Sequence, residues 1–138
     1  EQIDKLRHSA TRSLLERRFM VYLDQTPAVT EWSSEEIIIP YVSPVDNRVH
    51  RYFPDFYIKY INKDGVTVNE LIEVKPFSQC SPPNPKKSKT KTGRTSKRYL
   101  KEVQTYIVNE AKWKQAMNYC DDRNWKWRIL TEKDINIY

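Results

Sequence analysis

The chain has 138 residues, which predicts one domain spanning residues 1–138, and a formal net charge of +6 that favours polyanionic partners. Its two glycines argue against a P-loop or a dinucleotide-binding turn, and its two cysteines argue against a disulfide framework or a paired-cysteine metal site. No apolar run reaches the length of a membrane span, so no membrane partner is expected.

The first half of the chain predicts a helix followed by strands. In chain order, the pattern predicts a helix over 13–24, a connector or short strand over 29–33, and strands over 36–42, 49–61 and 66–76. Leu15, Phe19 and Leu23 recur at intervals of four and mark the buried stripe of the helix. Pro40 indicates an edge strand or a bulge, and Pro54 interrupts the ladder of the long strand. Short turns between successive strands are typical of an antiparallel meander.

The second half predicts a basic loop followed by helices around one more strand. The predicted elements are a mobile loop over 77–96, a helix from Ser96, a second helix that Asn109 caps, a strand over 126–130, and a capping box over 131–134 that opens a short terminal helix. The second helix is expected to bury one face, formed by Trp113, Ala116, Met117 and Cys120. The whole pattern predicts an α/β (α+β) fold with a central mixed sheet flanked by helices.

Two acids and a lysine are placed where neighbouring strands can bring them together. Asp55 stands at the head of the apolar run 56–61, and Glu73 and Lys75 lie on the following strand. Side chains alternate between the faces of a strand, so Glu73 and Lys75 point to the same side. Mg²⁺ prefers one or two carboxylates with several waters, and a lysine nearby can orient a water or neutralise phosphate charge. These residues predict a metal site for phosphodiester hydrolysis.

Pro54-Asp55 followed by Glu73-Val74-Lys75 resembles the motif of the PD-(D/E)XK nuclease superfamily. The resemblance implies a restriction-endonuclease-like core and a Mg²⁺-dependent DNA endonuclease or end-trimming nuclease, with Mn²⁺ as a substitute. It implies that Glu16, Asp55 and Glu73 bind the metal and that Lys75 positions or activates the hydrolytic water. Glu16 enters because an upstream helix of that superfamily often adds a further acid.

A longer resemblance extends to the head-completion nucleases of T-even-like tailed phages and, more distantly, to transposon end-cleaving endonuclease subunits. The segments that carry it are the runs 12–23, 32–36, 39–41, 51–53, 73–76, 105–106, 108–109, 112–114 and 128–132. It implies action on phage DNA during head completion, before neck and tail attachment. It also implies head portal or neck proteins as partners, with the protein in the host cytoplasm during assembly or in the head–neck region of the virion.

The basic loop is the predicted contact for double-stranded DNA. Its basic residues, with two at the start of the following helix, are Lys86, Lys87, Lys89, Lys91, Arg94, Lys97 and Arg98. Lysine and arginine side chains in such a segment contact backbone phosphates without reading the base sequence. The simpler interpretation is a solvated linker.

Each predicted role has a simpler structural alternative. Ser13 and Glu16 also form a capping-box pattern, and Glu73 with Lys75 also fits an ion pair on a solvated strand face. Glu35 and Glu36 either approach the metal or end a solvated strand. At the level of the whole protein, the alternatives are a non-catalytic basic assembly protein that retains the nuclease fold, and a transposase-like subunit that cuts only within a complex.

Overall fold

A computed structural model describes residues 13–134. The helices and strands in this range are α1 (Leu14–Gln25), β1 (Val29–Ser34), β2 (Ile39–Val42), β3 (Val49–Tyr52), β4 (Phe56–Ile61), β5 (Thr67–Val74), α2 (Lys97–Arg123) and β6 (Lys126–Leu130). The predicted short terminal helix would begin at the end of this range and lies outside the described residues. No helix within residues 13–134 combines the length and apolar character needed to cross a membrane.

Four strands form a mixed sheet in the order β1-β4-β5-β6. β4 is antiparallel to both β1 and β5, whereas β6 runs parallel to β5. The β4–β5 hairpin turns at Gly65, whose φ of 75° is favourable for glycine. Asn62 closes this turn by accepting hydrogen bonds from the Asp64 and Val66 amides at 3.0 Å. The predicted α+β fold with a mixed sheet is therefore confirmed.

The connectivity of the strands differs from a simple meander, because β2 and β3 form a separate two-stranded sheet. The prediction of one strand over 49–61 is wrong: β3 ends at Tyr52 and β4 begins at Phe56. Pro54, which is fully buried, lies between them. Proline cannot donate to a strand ladder, so the chain leaves one sheet here and enters the other. The predicted strand over 36–42 likewise begins only at Ile39.

Helix α1 follows the predicted pattern closely. The Ser13 hydroxyl caps it by accepting a hydrogen bond from the Glu16 amide at 3.2 Å. Phe19 and Leu23 are buried as predicted, together with Met20. The helix ends at Gln25, two residues before Pro27, which cannot continue an α-helical hydrogen-bond ladder.

Helix α2 is one continuous helix of 27 residues, so the prediction of a helix start at Asn109 is wrong. Asn109 is buried in its middle, and the N-cap is Ser96, whose hydroxyl accepts from the Tyr99 amide at 3.1 Å. The preference of asparagine for caps is weak compared with tertiary burial. Met117 is exposed and does not belong to the buried face on which it was predicted to lie.

The mixed sheet separates two apolar clusters. Ile72 and Val74 of β5 lie in the cluster that includes Phe19, Met20 and Leu23 of α1. Leu71 lies in the other cluster, which contains residues of α2 and of the β2–β3 sheet: Ile39, Tyr41, Tyr52, Trp113, Ala116 and Cys120. Successive β5 side chains therefore alternate between the α1 side and the α2 side, as strand geometry requires. Glu73 consequently belongs to the α2 side.

The segment between β5 and α2 contains local hydrogen-bonded structure. It includes 3₁₀ turns at Phe77–Gln79 and Pro85–Lys87 and an antiparallel bridge between Lys89 and Thr95. The Ser96 amide donates to the Ser88 carbonyl at 2.8 Å, which closes the loop at the start of α2. After β6, Thr131 and Asp134 make the predicted capping-box contacts, with the Thr131 amide donating to the Asp134 carboxylate at 3.0 Å.

Candidate active site

Asp55 is held from two sides at the point where the chain enters β4. Its carbonyl oxygen accepts from the Glu35 amide at 3.2 Å, which extends the pairing of β1 with β4. Its carboxylate accepts from the Val74 amide on β5 at 2.8 Å. The Val74 hydrogen bond brings the Asp55 carboxylate beside the backbone between Glu73 and Lys75. Asp55 and Glu73, which are 18 positions apart in the sequence, are thus brought close together because β4 and β5 are neighbouring strands.

Glu73 is buried, with 6% of its surface exposed, and polar groups contact both of its carboxylate oxygens. The Tyr52 hydroxyl donates to Oε1 at 2.7 Å, and Lys75 Nζ lies 3.5 Å from Oε2. A buried carboxylate with charged and hydroxyl partners is fixed in orientation, because each lost partner would leave it unsatisfied. The predicted association of Glu73 with Lys75 on one face is present, and burial of Glu73 excludes a fully solvated face.

The site carries an excess of negative charge around Asp55. Burial, the Glu73 carboxylate and the Glu16 carboxylate, in that order, raise the pKa of Asp55 to about 8. The Val74 hydrogen bond and the Lys75 ammonium oppose this shift. A bound cation would favour the ionised form of Asp55 and relieve the repulsion from Glu73.

The donor set fits a hard divalent cation with two protein carboxylates. Mg²⁺ commonly takes one or two carboxylates and completes its shell with water and substrate oxygens. Between residues 13 and 134 there is no cluster of three Asp, Glu, His or Cys side chains spaced for one ion. Asp55 and Glu73 are the two carboxylates at this site that could hold such an ion. Glu16 acts on Asp55 through its charge, and its role as a third ligand stays a prediction.

Glu16 also has the structural role that its sequence pattern allows. Its amide donates to the Ser13 hydroxyl, and that hydroxyl lies 3.4 Å from Glu16 Oε1. Glu35 and Glu36 are both exposed. Glu35 has a positive φ of 56° and supports Asp55 through its backbone amide.

Two further residues adjoin this site that the sequence patterns did not assign to it, Tyr52 and Lys112. Tyr52 is buried on β3, and its hydroxyl orients Glu73. Lys112 is half-buried on α2, where its Nζ lies 5.7 Å from the centre of the Tyr52 ring. A signal for Lys112 was present in the sequence, because it follows Asn109 by three residues and precedes Ala116 by four, on the helix face that is buried.

The predicted DNA-contacting residues all lie at the surface. Lys86, Lys87, Lys89, Lys91, Arg94, Lys97 and Arg98 are exposed. Lys87 and Arg98 line one open depression of about 270 Å³ with Ser96, Tyr99 and Glu102. Arg98 is paired with Glu102 at 3.1 Å, so part of its charge is already compensated. The loop leaves the active site directly after Lys75, and the Phe77 amide anchors it by donating to Glu132 at 2.7 Å.

A buried and a partly buried carboxylate beside a lysine, placed by adjacent strands of a mixed sheet, form a site of the kind that nucleases use. A family model described as the TnsA-like endonuclease N-terminal domain matches residues 26–132, and this chain belongs to that family. The matched range contains Asp55, Glu73 and Lys75 and begins after Glu16.

The chain is also 36% identical over 124 residues to the head completion nuclease of Enterobacteria phage T4. That alignment covers 90% of this chain and 79% of the relative. The resemblance to both groups, which the sequence motifs predicted, is therefore confirmed. No solved structure matches the chain.

Proposed function

We propose that this protein is a nuclease of phage head completion, and that it hydrolyses DNA phosphodiester bonds with a divalent metal ion in the PD-(D/E)XK manner. The observation that carries the chemistry is the convergence of the Asp55 and Glu73 carboxylates with Lys75, fixed by the Val74 amide and the Tyr52 hydroxyl. The endonuclease family and the phage relative support the same activity.

Asp55 and Glu73 would hold Mg²⁺, or Mn²⁺ in its place, with Glu16 as a proposed additional ligand. The ion would supply Lewis-acid polarisation of the phosphate and neutralise charge that develops during hydrolysis. Lys75 would orient the attacking water or assist its deprotonation, since its ammonium lies 3.5 Å from Glu73 Oε2. Tyr52 keeps the Glu73 carboxylate in one orientation through its 2.7 Å hydrogen bond.

The proposed substrate is double-stranded phage DNA, acted on before neck and tail attachment. The relative's name, head completion nuclease, supports this stage of assembly. The exposed basic loop and the first turn of α2 would bind the DNA backbone by phosphate contacts. Portal or neck proteins are proposed partners, and the host cytoplasm or the virion head–neck region is the proposed location.

DNA cleavage assays test the site assignment. Purified protein is incubated with linear duplex DNA in Mg²⁺, Mn²⁺ or EDTA, using wild type, Asp55→Ala and Lys75→Ala. We expect cleavage with either metal, none in EDTA, and a rate at least about a hundredfold lower in both variants. Asp64→Ala and Lys63→Ala in the exposed β4–β5 turn are matched controls and should cleave normally. Full activity of both Asp55→Ala and Lys75→Ala would contradict the assignment of the active site.

A second candidate is a DNA-binding assembly protein without catalysis, and the exposed basic loop is the observation that favours it. This protein would bind DNA with a steep salt dependence and would not cleave it. Calorimetric titration with Mn²⁺ separates the candidates, because the nuclease should bind the ion at a site lost in Asp55→Ala. A third candidate, suggested by the endonuclease family, is a subunit that cuts only within a complex, and activity would then require addition of a partner.

A further inference from the structure

Lys112 is a lysine on the inner side of helix α2. Asn109, Trp113 and Ala116 are buried on the same helix, and Lys112 is itself half-buried among them. Lys114, two residues further along the helix, is exposed. A lysine on a buried face usually keeps its ammonium at a wet or negatively charged place while its stem packs. The surroundings of the ammonium therefore decide its role.

Two tyrosine rings from the β2–β3 sheet hold the Lys112 ammonium. Its Nζ lies 5.8 Å from the centre of the Tyr41 ring and 5.7 Å from the centre of the Tyr52 ring. Both distances fall within the range of cation–π attraction. Both tyrosines are buried, so the rings form fixed walls. The Tyr52 hydroxyl in turn donates to Glu73, which connects the walls of this ammonium pocket to the carboxylate pair.

The ammonium lies within the electrostatic field of the active site. Burial lowers the pKa of Lys112, and the charges of Glu73, Lys75 and Asp55 also act on it. Glu73 and Asp55 lie on β5 and at the head of β4, whereas Lys112 is on the helix that packs over that face of the sheet. Two lysines on different elements therefore act on the carboxylate pair. Lys75 directly follows β5, and Lys112 lies on α2.

We propose that Lys112 is a second cationic residue of the active site, held by Tyr41 and Tyr52 to contact a non-bridging oxygen of the scissile phosphate. This inference rests on the proposed nuclease function. Negative charge grows on the phosphate oxygens as the attacking water adds, and a preorganised, partly desolvated ammonium stabilises that charge more in the transition state than in the ground state. Lys112 forms no covalent bond and transfers no proton in this role.

A purely structural role for Lys112 predicts different behaviour. If its stem only packs α2 onto β2–β3, a neutral side chain of similar length should support cleavage. Lys112→Met keeps an unbranched apolar side chain, and Lys112→Arg keeps the positive charge. Lys114→Met removes the same charge from an exposed position on the same helix and is the matched control.

The experiment measures single-turnover cleavage of duplex DNA at saturating protein, thermal unfolding, and Mn²⁺ affinity by calorimetry without DNA. We expect Lys112→Met to unfold at the wild-type temperature, to cleave about a hundredfold more slowly, and to bind Mn²⁺ several-fold more tightly because a repelling charge is gone. Lys112→Arg should recover much of the rate, and Lys114→Met should match wild type at saturation in both cleavage and Mn²⁺ affinity.

Cleavage by Lys112→Met at the wild-type rate, or unchanged Mn²⁺ affinity in this variant, would overturn the assignment while leaving the nuclease function intact. A slow Lys112→Met variant that unfolds at a lower temperature, together with an equally slow Lys112→Arg, would show a packing role and also overturn it. Wild-type protein that neither binds Mn²⁺ nor cleaves DNA would overturn the nuclease function, and this inference with it.

Discussion

Asp55 occupies a position that is unfavourable for an ionised side chain in the metal-free protein. Burial and the neighbouring Glu73 and Glu16 carboxylates all favour its protonated form. The Val74 amide and the Lys75 ammonium favour the charged form, but they do not offset burial and the two neighbouring carboxylates. Placing two carboxylates together away from water therefore lowers the stability of the fold. A site that would be relieved by a bound cation is typical of a metal centre and unusual for residues whose role is structural.

Substituting Asp55 with asparagine should stabilise the metal-free protein at neutral and alkaline pH. Because the pKa of Asp55 is raised from 3.8 to about 8 on folding, the folded state holds the proton that the unfolded state releases. The free energy of unfolding of the wild type should therefore fall as the pH rises from about 4 to about 8, by at most about 1.4 kcal/mol per pH unit. Asp55→Asn should lack this slope when urea unfolding is measured in EDTA from pH 4.5 to 8.5. Asp64→Asn is the exposed control, and equal slopes for Asp55→Asn and wild type would contradict the electrostatic account.

Among the elements, local patterns predicted well and pairings between distant strands did not. The stripe of α1, the β4–β5 hairpin and the alternation of Glu73 with Val74 all depend on residues close in sequence, and all are confirmed. β1 pairs with β4 although 21 residues, Glu35 to Asp55, separate the two strands in the chain. The periodicity of the sequence does not predict this pairing. Pro54 was recognised as an interruption, but a proline alone does not tell whether the chain resumes in the same sheet or in another.

The helix after the basic loop shows a second limit of local patterns. Asn109 has the chemistry of a cap, yet the helix continues through it because its neighbours Trp113 and Ala116 are buried on the same face. The site residues Tyr52 and Lys112 were missed for a related reason. Their importance depends on the β2–β3 sheet packing against α2, a contact between elements that are about 60 residues apart in the chain. Motif spacing contains no information about that contact.

The β2–β3 sheet contributes to the site through one hydroxyl, and its removal should be measurable. Tyr52→Phe retains the buried ring but leaves Glu73 Oε1 without its 2.7 Å donor. We expect a loss of about 1–3 kcal/mol in the free energy of unfolding in EDTA. Cleavage should also slow, because the Glu73 carboxylate is no longer fixed. Tyr41→Phe removes a hydroxyl from the other ring beside Lys112 and serves as the control. A Tyr52→Phe variant as stable as Tyr41→Phe would show that the hydrogen bond adds nothing.

At the scale of the whole molecule, charge is segregated between the site and the surface around it. The chain carries a net charge of +6, yet the centre of the site is a pair of acids, buried Glu73 and partly buried Asp55. The basic loop starts two residues after Lys75, and its anchoring by Glu132 places the start of the loop beside the end of β6. A phosphate backbone held by this loop would be presented to a site that repels it until a cation is bound. DNA binding and metal binding should therefore reinforce each other.

Neutralising the basic loop should weaken DNA binding at every sequence and reduce its salt dependence. Each lost phosphate contact lowers the slope of log affinity against log salt by about 0.9 for duplex DNA. The triple variant Lys86→Gln/Lys87→Gln/Lys89→Gln should thus lose a slope of up to about three when binding is measured by fluorescence anisotropy in EDTA, where cleavage does not interfere. The control triple, Lys63→Gln/Lys114→Gln/Lys126→Gln, removes the same net charge from exposed positions outside the loop. Equal losses of slope in the two triples would show that DNA is attracted by net charge alone, and that the loop is a solvated linker.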